Sequence, residues 1–174
     1  MSNQTPTWKI IVLGDKEVGK TSLINRYVYN TFDVITNNSS GTFIRKIVKC
    51  KNGSINALIT EVHMNTFSQD KILGSKIAIL VSDLTRYETL DIIDEMAEKI
   101  KKISPKTKIV IIANKLDLKY NAKFWVEDIK KIVKEIDAFT FGIVSAKTGE
   151  NLFEGIEILC DKVLEADAKS QNSH

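Results

Sequence analysis

The 174-residue sequence has few cysteines and no recognisable export signal. Its two cysteines, Cys50 and Cys160, lie far apart and lack the short spacing that metal ligands show. The N-terminus does not have the pattern of a secretory signal peptide. Both features are typical of proteins in a reducing compartment, and we expect a cytoplasmic protein.

The usual means of membrane attachment are also missing from the sequence. No apolar run approaches the roughly 20 residues that a membrane-spanning helix needs. Residue 2 is serine, which excludes N-myristoylation, and no cysteine stands at the C-terminus for prenylation. We therefore expect no membrane anchor within this chain.

Charge of one sign is not in large excess. The 25 basic and 22 acidic residues leave a formal net charge of +3, and the two signs are interspersed along the chain. Such a mild positive balance does not indicate nucleic-acid binding, so no nucleic-acid partner is expected. The apolar fraction of 43% is that of an ordinary globular domain.

The order of apolar segments predicts one α/β domain. Continuous apolar runs at 77–82 and 108–113 are typical of buried parallel strands, and a segment of helical periodicity separates them. Asn52-Gly53, between two extended segments, predicts a β-hairpin. This alternation favours a mostly parallel sheet with helices on both faces. The predicted organisation is a flexible segment 1–6, a domain 7–166 and a flexible tail 167–174.

A glycine-rich loop after the first predicted strand has the spacing of a phosphate cradle. The segment from Gly14 to Thr21 fits G-x-x-x-x-G-K-[ST], between a strand and a helix. Main-chain N–H groups of such a loop face phosphate oxygens, Lys20 reaches the β- and γ-phosphates, and the Thr21 hydroxyl ligates Mg²⁺. The alternative is a glycine-rich turn with a surface lysine. The predicted cradle residues are Gly14, Asp15, Lys16, Glu17, Val18, Gly19, Lys20, Thr21 and Ser22.

Two further polar motifs follow later strands and indicate recognition of guanine. Guanine presents N1–H and an N2 amino group side by side, and the Asp117 carboxylate can accept from both. Adenine offers no such pair and would leave a desolvated carboxylate without a partner. The Lys115 stem can cover the base, and the Ala146 N–H suits the guanine O6. The predicted base-binding residues are Asn114, Lys115, Asp117, Ser145, Ala146 and Lys147.

With these motifs the sequence resembles the Ras superfamily of small GTPases, most closely its Rab/Ras branch. The resemblance runs from about Trp8 to Leu164 and includes WKIIVLGD at the start and SAKTGENLFEGI at the end. It implies a P-loop NTPase three-layer sandwich with a six-stranded, mostly parallel sheet and about five helices. It also implies GTP or GDP with Mg²⁺ as ligand, a switch role in signalling or vesicle trafficking, and effector and regulator proteins as partners.

Family spacing from Gly14 implies roles for two residues of the following loop. Phe32 corresponds to the aromatic residue that stacks on guanine. Ser39 corresponds to the threonine that ligates Mg²⁺ and senses the γ-phosphate, although Thr42 is a rival for that role. Asp83, which ends a predicted strand, is expected to hydrogen-bond neighbouring loops.

The sequence departs from the family at the second switch, where Asp-x-x-Gly and a glutamine are expected. Alignment on the predicted hairpin places Glu61 on the aspartate, Met64 on the glycine and Asn65 on the water-positioning glutamine. Glu61 keeps a carboxylate, whereas Met64 restricts the backbone and Asn65 is shorter than glutamine. Lys16 and Glu17 also replace small residues near the entry of a partner's arginine finger.

These departures predict tight nucleotide binding with slow hydrolysis, in which Lys20 and Asn65 are the candidate catalytic residues. Two alternatives stay open. The first is a pseudo-GTPase that holds GTP or GDP statically as a binding module. The second is a P-loop kinase or ATPase of another family.

Overall fold

The computed structural model describes residues 5–32 and 42–172. Its six strands form one sheet in the order β2-β3-β1-β4-β5-β6, in which only β2 and β3 pair antiparallel. The hairpin predicted at Asn52-Gly53 joins these two strands. The strands are β1 (Thr7–Gly14), β2 (Ile44–Cys50), β3 (Gly53–Glu61), β4 (Ser75–Asp83), β5 (Lys108–Asn114) and β6 (Thr140–Ile143).

Six α-helices accompany the sheet within the described residues, two of them a single turn long. Only Ile92 separates α3 from α4, so the expected count of about five corresponds to five helical units. Two 3₁₀ segments cover Met64–Thr66 and Leu116–Asn121. The helices are α1 (Lys20–Tyr29), α2 (Gln69–Ile72), α3 (Glu88–Asp91), α4 (Ile93–Ile103), α5 (Val126–Glu135) and α6 (Leu152–Asn172).

The sheet is covered on both faces, which makes the domain a three-layer sandwich. Successive side chains of β1 point to opposite faces, so Ile10 packs in the cluster that includes α1 and α6, while Ile11 packs in the cluster that includes α4 and α5. Strands buried on both faces need continuous apolar sequence. The predicted fold class is therefore confirmed.

The carboxyl ends of the parallel strands meet at one edge of the sheet. Gly14 at the end of β1 lies opposite Val81, and Asp83 at the end of β4 lies opposite Asn114 at the end of β5. The strand order reverses at β1, where such sheets bind ligands. The loops that leave this edge carry the predicted phosphate and base motifs.

The last helix extends further than the sequence pattern predicted. Residues 167–172, predicted as part of a flexible tail, continue α6 to Asn172. The carboxylate of Asp167 lies 2.6 Å from Lys76 Nζ, and Ser170 Oγ donates to the Ala166 carbonyl. These contacts and the helix-forming residues of this segment account for the extension. No helix of the described chain is long and apolar enough to cross a membrane.

We expect the stability of the fold to depend on the inner strands rather than on the β2 edge. Ile11→Ala, at a fully buried position of β1, should lower the free energy of unfolding by about 2–5 kcal/mol, because it leaves a cavity in the core. Ile47→Ala in β2, where the side chain is 64% exposed, is the matched control and should change it by less than about 0.5 kcal/mol. Urea unfolding measures both, and equal losses would contradict this assignment of the core.

Candidate nucleotide-binding site

A cleft of about 630 Å³ opens at the edge where the parallel strands end. This volume is within the range of small-ligand sites. Three separate segments that the sequence singled out, the loop after β1 and the loops after β5 and β6, meet around it. Its lining residues are Glu17, Gly19, Lys20, Thr21, Ser22, Phe32, Glu61, His63, Asn114, Lys115, Asp117, Leu118, Ala146 and Lys147.

Close backbone approach explains both glycines of the loop after β1. A Cβ on Gly14 would lie 2.4 Å from the Val81 carbonyl oxygen of β4. A Cβ on Gly19 would lie 2.4 Å from Asn114 Nδ2, and the φ angle of Gly19 is 96°, in the left-handed region. The loop therefore packs directly against β4 and β5, with no room for side chains at these positions.

The Lys20 side chain is buried and bonds two carbonyls of this loop. It is 7% exposed, and its ammonium group donates to the carbonyls of Gly14 at 3.0 Å and Asp15 at 2.6 Å. Burial lowers the pKa of Lys20, and the nearby carboxylates of Glu61 and Asp15 oppose that shift. The charge is thus held in the curl of the loop, where a phosphate chain would lie.

A hydroxyl and a carboxylate meet beside this ammonium group. Thr21 Oγ1 donates to Glu61 Oε2 at 2.7 Å, and Glu61 Oε1 is 4.0 Å from Lys20 Nζ. Hydroxyl and carboxylate oxygens are the hard ligands that Mg²⁺ prefers, so these residues fit that ion. Ser39, the other predicted metal ligand, lies outside the described residues, and its rival Thr42 is exposed.

Asn114 ties the base side of the cleft to the phosphate side. Its Nδ2 donates to the Val18 carbonyl at 2.9 Å, and its Oδ1 accepts from the Ala146 N–H at 2.9 Å. The Ala146 N–H, which the sequence assigned to guanine O6, thus has a partner within the protein, and its role toward the base stays a prediction. A base would have to share it with Asn114.

The Asp117 carboxylate is oriented by a neighbouring loop. Ser145 Oγ donates to Asp117 Oδ1 at 2.6 Å and accepts from the Thr148 N–H at 3.1 Å. Within the described part of the chain, the second carboxylate oxygen and the remaining lone pair of the first are left to accept from a ligand. Ser145 is buried and does not itself line the cleft among the described residues, so it acts by fixing Asp117.

The comparisons with known proteins agree with this geometry. The sequence profile of the Ras family matches residues 9–165, nearly the whole chain. This chain belongs to the Ras family. It is 31% identical over 159 residues to the Ras-related protein RabJ of Dictyostelium discoideum, covering 86% of this chain and 59% of RabJ. It is 29% identical over 157 residues to Ras-related protein Rab-31 of Rattus norvegicus, covering 85% and 80%. It is therefore a Rab-like small GTPase of the Ras superfamily.

In this Ras-family chain, only some of the described residues assigned to the second switch line the cleft. His63 lines the cleft, with Nδ1 3.5 Å from Glu61 Oε1. Met64 and Asn65 form a 3₁₀ turn, and Asn65 is exposed and not among the described residues that line the cleft. Phe32 also lines the cleft and is 45% exposed. The role of Asn65 in hydrolysis stays a prediction.

Several of the predicted site residues do not line the cleft but bond to neighbouring residues of the site. Of the described residues, Gly14, Asp15, Lys16, Val18 and Ser145 do not line it. The carbonyls of Gly14, Asp15 and Val18 and the Ser145 hydroxyl bond residues that do line it, and the Lys16 carbonyl accepts from Arg86. Sequence reasoning missed two arginines. Arg26 donates to the carbonyls of Ala146 and Lys147, and Arg86 donates to that of Lys16. A lone arginine in a helix or loop carries no signal of such a contact.

Asp83, beside the site, is a buried acid whose carboxylate is bonded to several side chains. The residue is 1% exposed, and its carboxylate bonds Lys115 Nζ at 2.6 Å and the Thr85 hydroxyl at 2.7 Å. Burial acts to raise the pKa of Asp83, but the hydrogen bonds from Lys115 and Thr85 outweigh it, and the pKa lies below its ordinary value.

We expect Asp83→Asn to reveal this ionisation as a pH-dependent loss of stability. A depressed folded-state pKa stabilises the fold above the unfolded-state pKa of about 4, and the effect is lost as pH falls through the folded-state value. The variant should lose about 2 kcal/mol of unfolding free energy between pH 5 and 8, and the deficit should shrink below pH 4 or so.

Chemical unfolding at several pH values measures this deficit. Asp94→Asn, at an exposed position in the first turn of α4, is the matched control and should show little deficit at any pH. A deficit of Asp83→Asn that grows as the pH falls below 4 would contradict the assignment.

Proposed function

We propose that this chain binds GDP and GTP with Mg²⁺ and acts in the cytoplasm as a guanine-nucleotide-dependent switch. One observation carries the proposal: the phosphate loop after β1 and the two base motifs after β5 and β6 surround a single cleft. The chain spans about three fifths of RabJ, so its activity as a whole protein belongs to this proposal.

The base is selected by the Asp117 carboxylate. Guanine donates from N1–H and from its N2 amino group to Asp117, which Ser145 already holds in place. Adenine lacks this donor pair and would leave Asp117 desolvated without a compensating bond. The preference for guanine therefore rests largely on the rejection of adenine.

The phosphate chain is bound by the loop from Gly14 to Thr21. Lys20 exchanges its contacts with the loop carbonyls for phosphate oxygens, and the N-terminus of α1 adds a favourable field. Thr21 and Glu61 would hold Mg²⁺, which neutralises phosphate charge when bound. Ser39 or Thr42 would complete the response to the γ-phosphate.

Hydrolysis is slow in this proposal because the residues that orient water are altered. Asn65 has a shorter side chain than glutamine and lies on an exposed turn. Met64 takes the place of a glycine hinge, and Lys16 and Glu17 stand near the entry of an arginine finger. Effector and regulator proteins would contact the switch segments 34–42 and 62–75.

A static nucleotide-binding module is the second candidate. The observation that favours it is the exposed position of Asn65, which is not among the described residues that line the cleft. Nucleotide extracted from the purified protein distinguishes the candidates. Bound GTP supports the static module, and bound GDP supports turnover or preference for the product.

Calorimetry with Mg²⁺ tests the choice of base. GDP should bind much more tightly than ADP, and Asp117→Asn should weaken GDP binding by roughly ten-fold or more, because at least one charge-assisted hydrogen bond is lost. Asp94→Asn on the exposed face of α4 is the control and should leave the GDP affinity unchanged. Equal competition by ATP and GTP would refute guanine specificity.

Single-turnover hydrolysis tests the rate. Protein loaded with GTP and started with Mg²⁺ should hydrolyse it at about 10⁻⁴ s⁻¹ or slower, the scale of an unassisted small GTPase. Asn65→Gln restores the longer amide and should raise that rate, whereas Asn65→Ala should lower it or leave it unchanged. A wild-type rate equal to that of GAP-stimulated enzymes would rule out slow hydrolysis.

A further inference from the structure

The Arg86 guanidinium bridges the loop after β4 and the phosphate loop. Its Nη2 donates to the Lys16 carbonyl at 2.6 Å, and its Nη1 lies 3.7 Å from the Asp15 carboxylate. Its Nε is 3.3 Å from Asp83 Oδ2. One side chain thus holds a main-chain carbonyl and two carboxylates, which the planar fork of arginine permits and a lysine would not.

The Asp83 carboxylate also has a second cation. Lys115, from the base-binding motif after β5, lies 2.6 Å from the same Oδ2 atom. A nearly fully buried carboxylate requires a counter-charge, so Asp83 is shared between Lys115 and Arg86. Contacts therefore run without a break from the base side of the cleft to the phosphate loop.

The phosphate loop contains a residue in an unfavourable backbone conformation. Glu17 has a φ angle of 60°, in the left-handed region that side chains with a Cβ seldom adopt. The Arg86 bond holds the carbonyl of Lys16, the residue immediately before it. Loss of this bond would remove one contact that holds the turn at Lys16 and Glu17 in the conformation that binds phosphate.

Neither Asp83 nor Arg86 is among the described residues that line the cleft. We propose that Arg86 is a positioning residue that couples base recognition by Lys115 to phosphate binding by the loop 14–21, through the shared carboxylate of Asp83. The inference rests on the proposed function. It adds that occupancy of the base site helps to hold the phosphate loop, and that the reverse also applies.

The coupling predicts non-additive effects of two substitutions on GDP affinity. Arg86→Gln should weaken GDP binding about ten-fold, within the range for sites that share a coupling element. In a Lys115→Gln background, where the link is already broken, the same change should weaken it by no more than about two-fold. A role of Arg86 in general stability alone would give the same loss in both backgrounds.

The experiment is calorimetric titration of the full chain with GDP and Mg²⁺, for wild type, Arg86→Gln, Lys115→Gln and the double variant. Arg45→Gln is the matched control, since Arg45 is exposed on β2, and it should bind GDP like the wild type. Circular dichroism shows whether each variant is folded. If wild type and Arg45→Gln fail to bind GDP, the proposed function itself is wrong.

When wild type binds, two results overturn the coupling. One is an Arg86→Gln affinity within two-fold or so of the wild type, and the other is a full loss that persists in the Lys115→Gln background. If Arg86→Gln does not fold, Arg86→Lys replaces it. Lysine keeps a charge beside Asp83 but lacks the fork, so an intermediate loss supports the coupling, and an unchanged affinity overturns it.

Discussion

The site depends on the buried side chain of Asn114 at the end of β5. Its amide joins the phosphate loop at the Val18 carbonyl to the last base loop at the Ala146 N–H, and its main-chain carbonyl accepts from the Leu84 N–H. A buried amide without partners is costly, so these bonds hold three loops in one relative position. The close approach of Gly19 to the same side chain explains why that loop position has no Cβ.

Around this frame, three charged groups of the cleft are oriented by contacts within the protein. Lys20 is held by carbonyls of its own loop, Glu61 by the Thr21 hydroxyl, and Asp117 by Ser145. Such preorganisation lowers the cost of ordering on binding, which favours affinity. These binding groups are therefore held by contacts within the protein, whereas Asn65 is exposed and is not among the described residues that line the cleft.

Much of the fold and part of the site could be predicted because they depend on local patterns. Buried parallel strands need continuous apolar runs, and the hairpin at Asn52-Gly53 needs a turn of that composition, so both were recognisable. The glycine spacing of the phosphate loop is equally local. The end of α6 was not recognisable, because its last turns are largely exposed and polar, and the ion pair of Asp167 with Lys76 joins residues far apart in the sequence.

The sequence by itself determined the family, the phosphate loop from Gly14 to Thr21 and the base motif at Asn114 and Asp117, since each is a short run whose spacing carries its chemistry. Only the tertiary structure decided that Thr21 meets Glu61, 40 residues away, and that Arg86 holds Lys16, 70 residues away. It also decided that Asn114 occupies the Ala146 N–H. Such contacts depend on strand register and on how loops pack at the sheet edge, which no local pattern encodes.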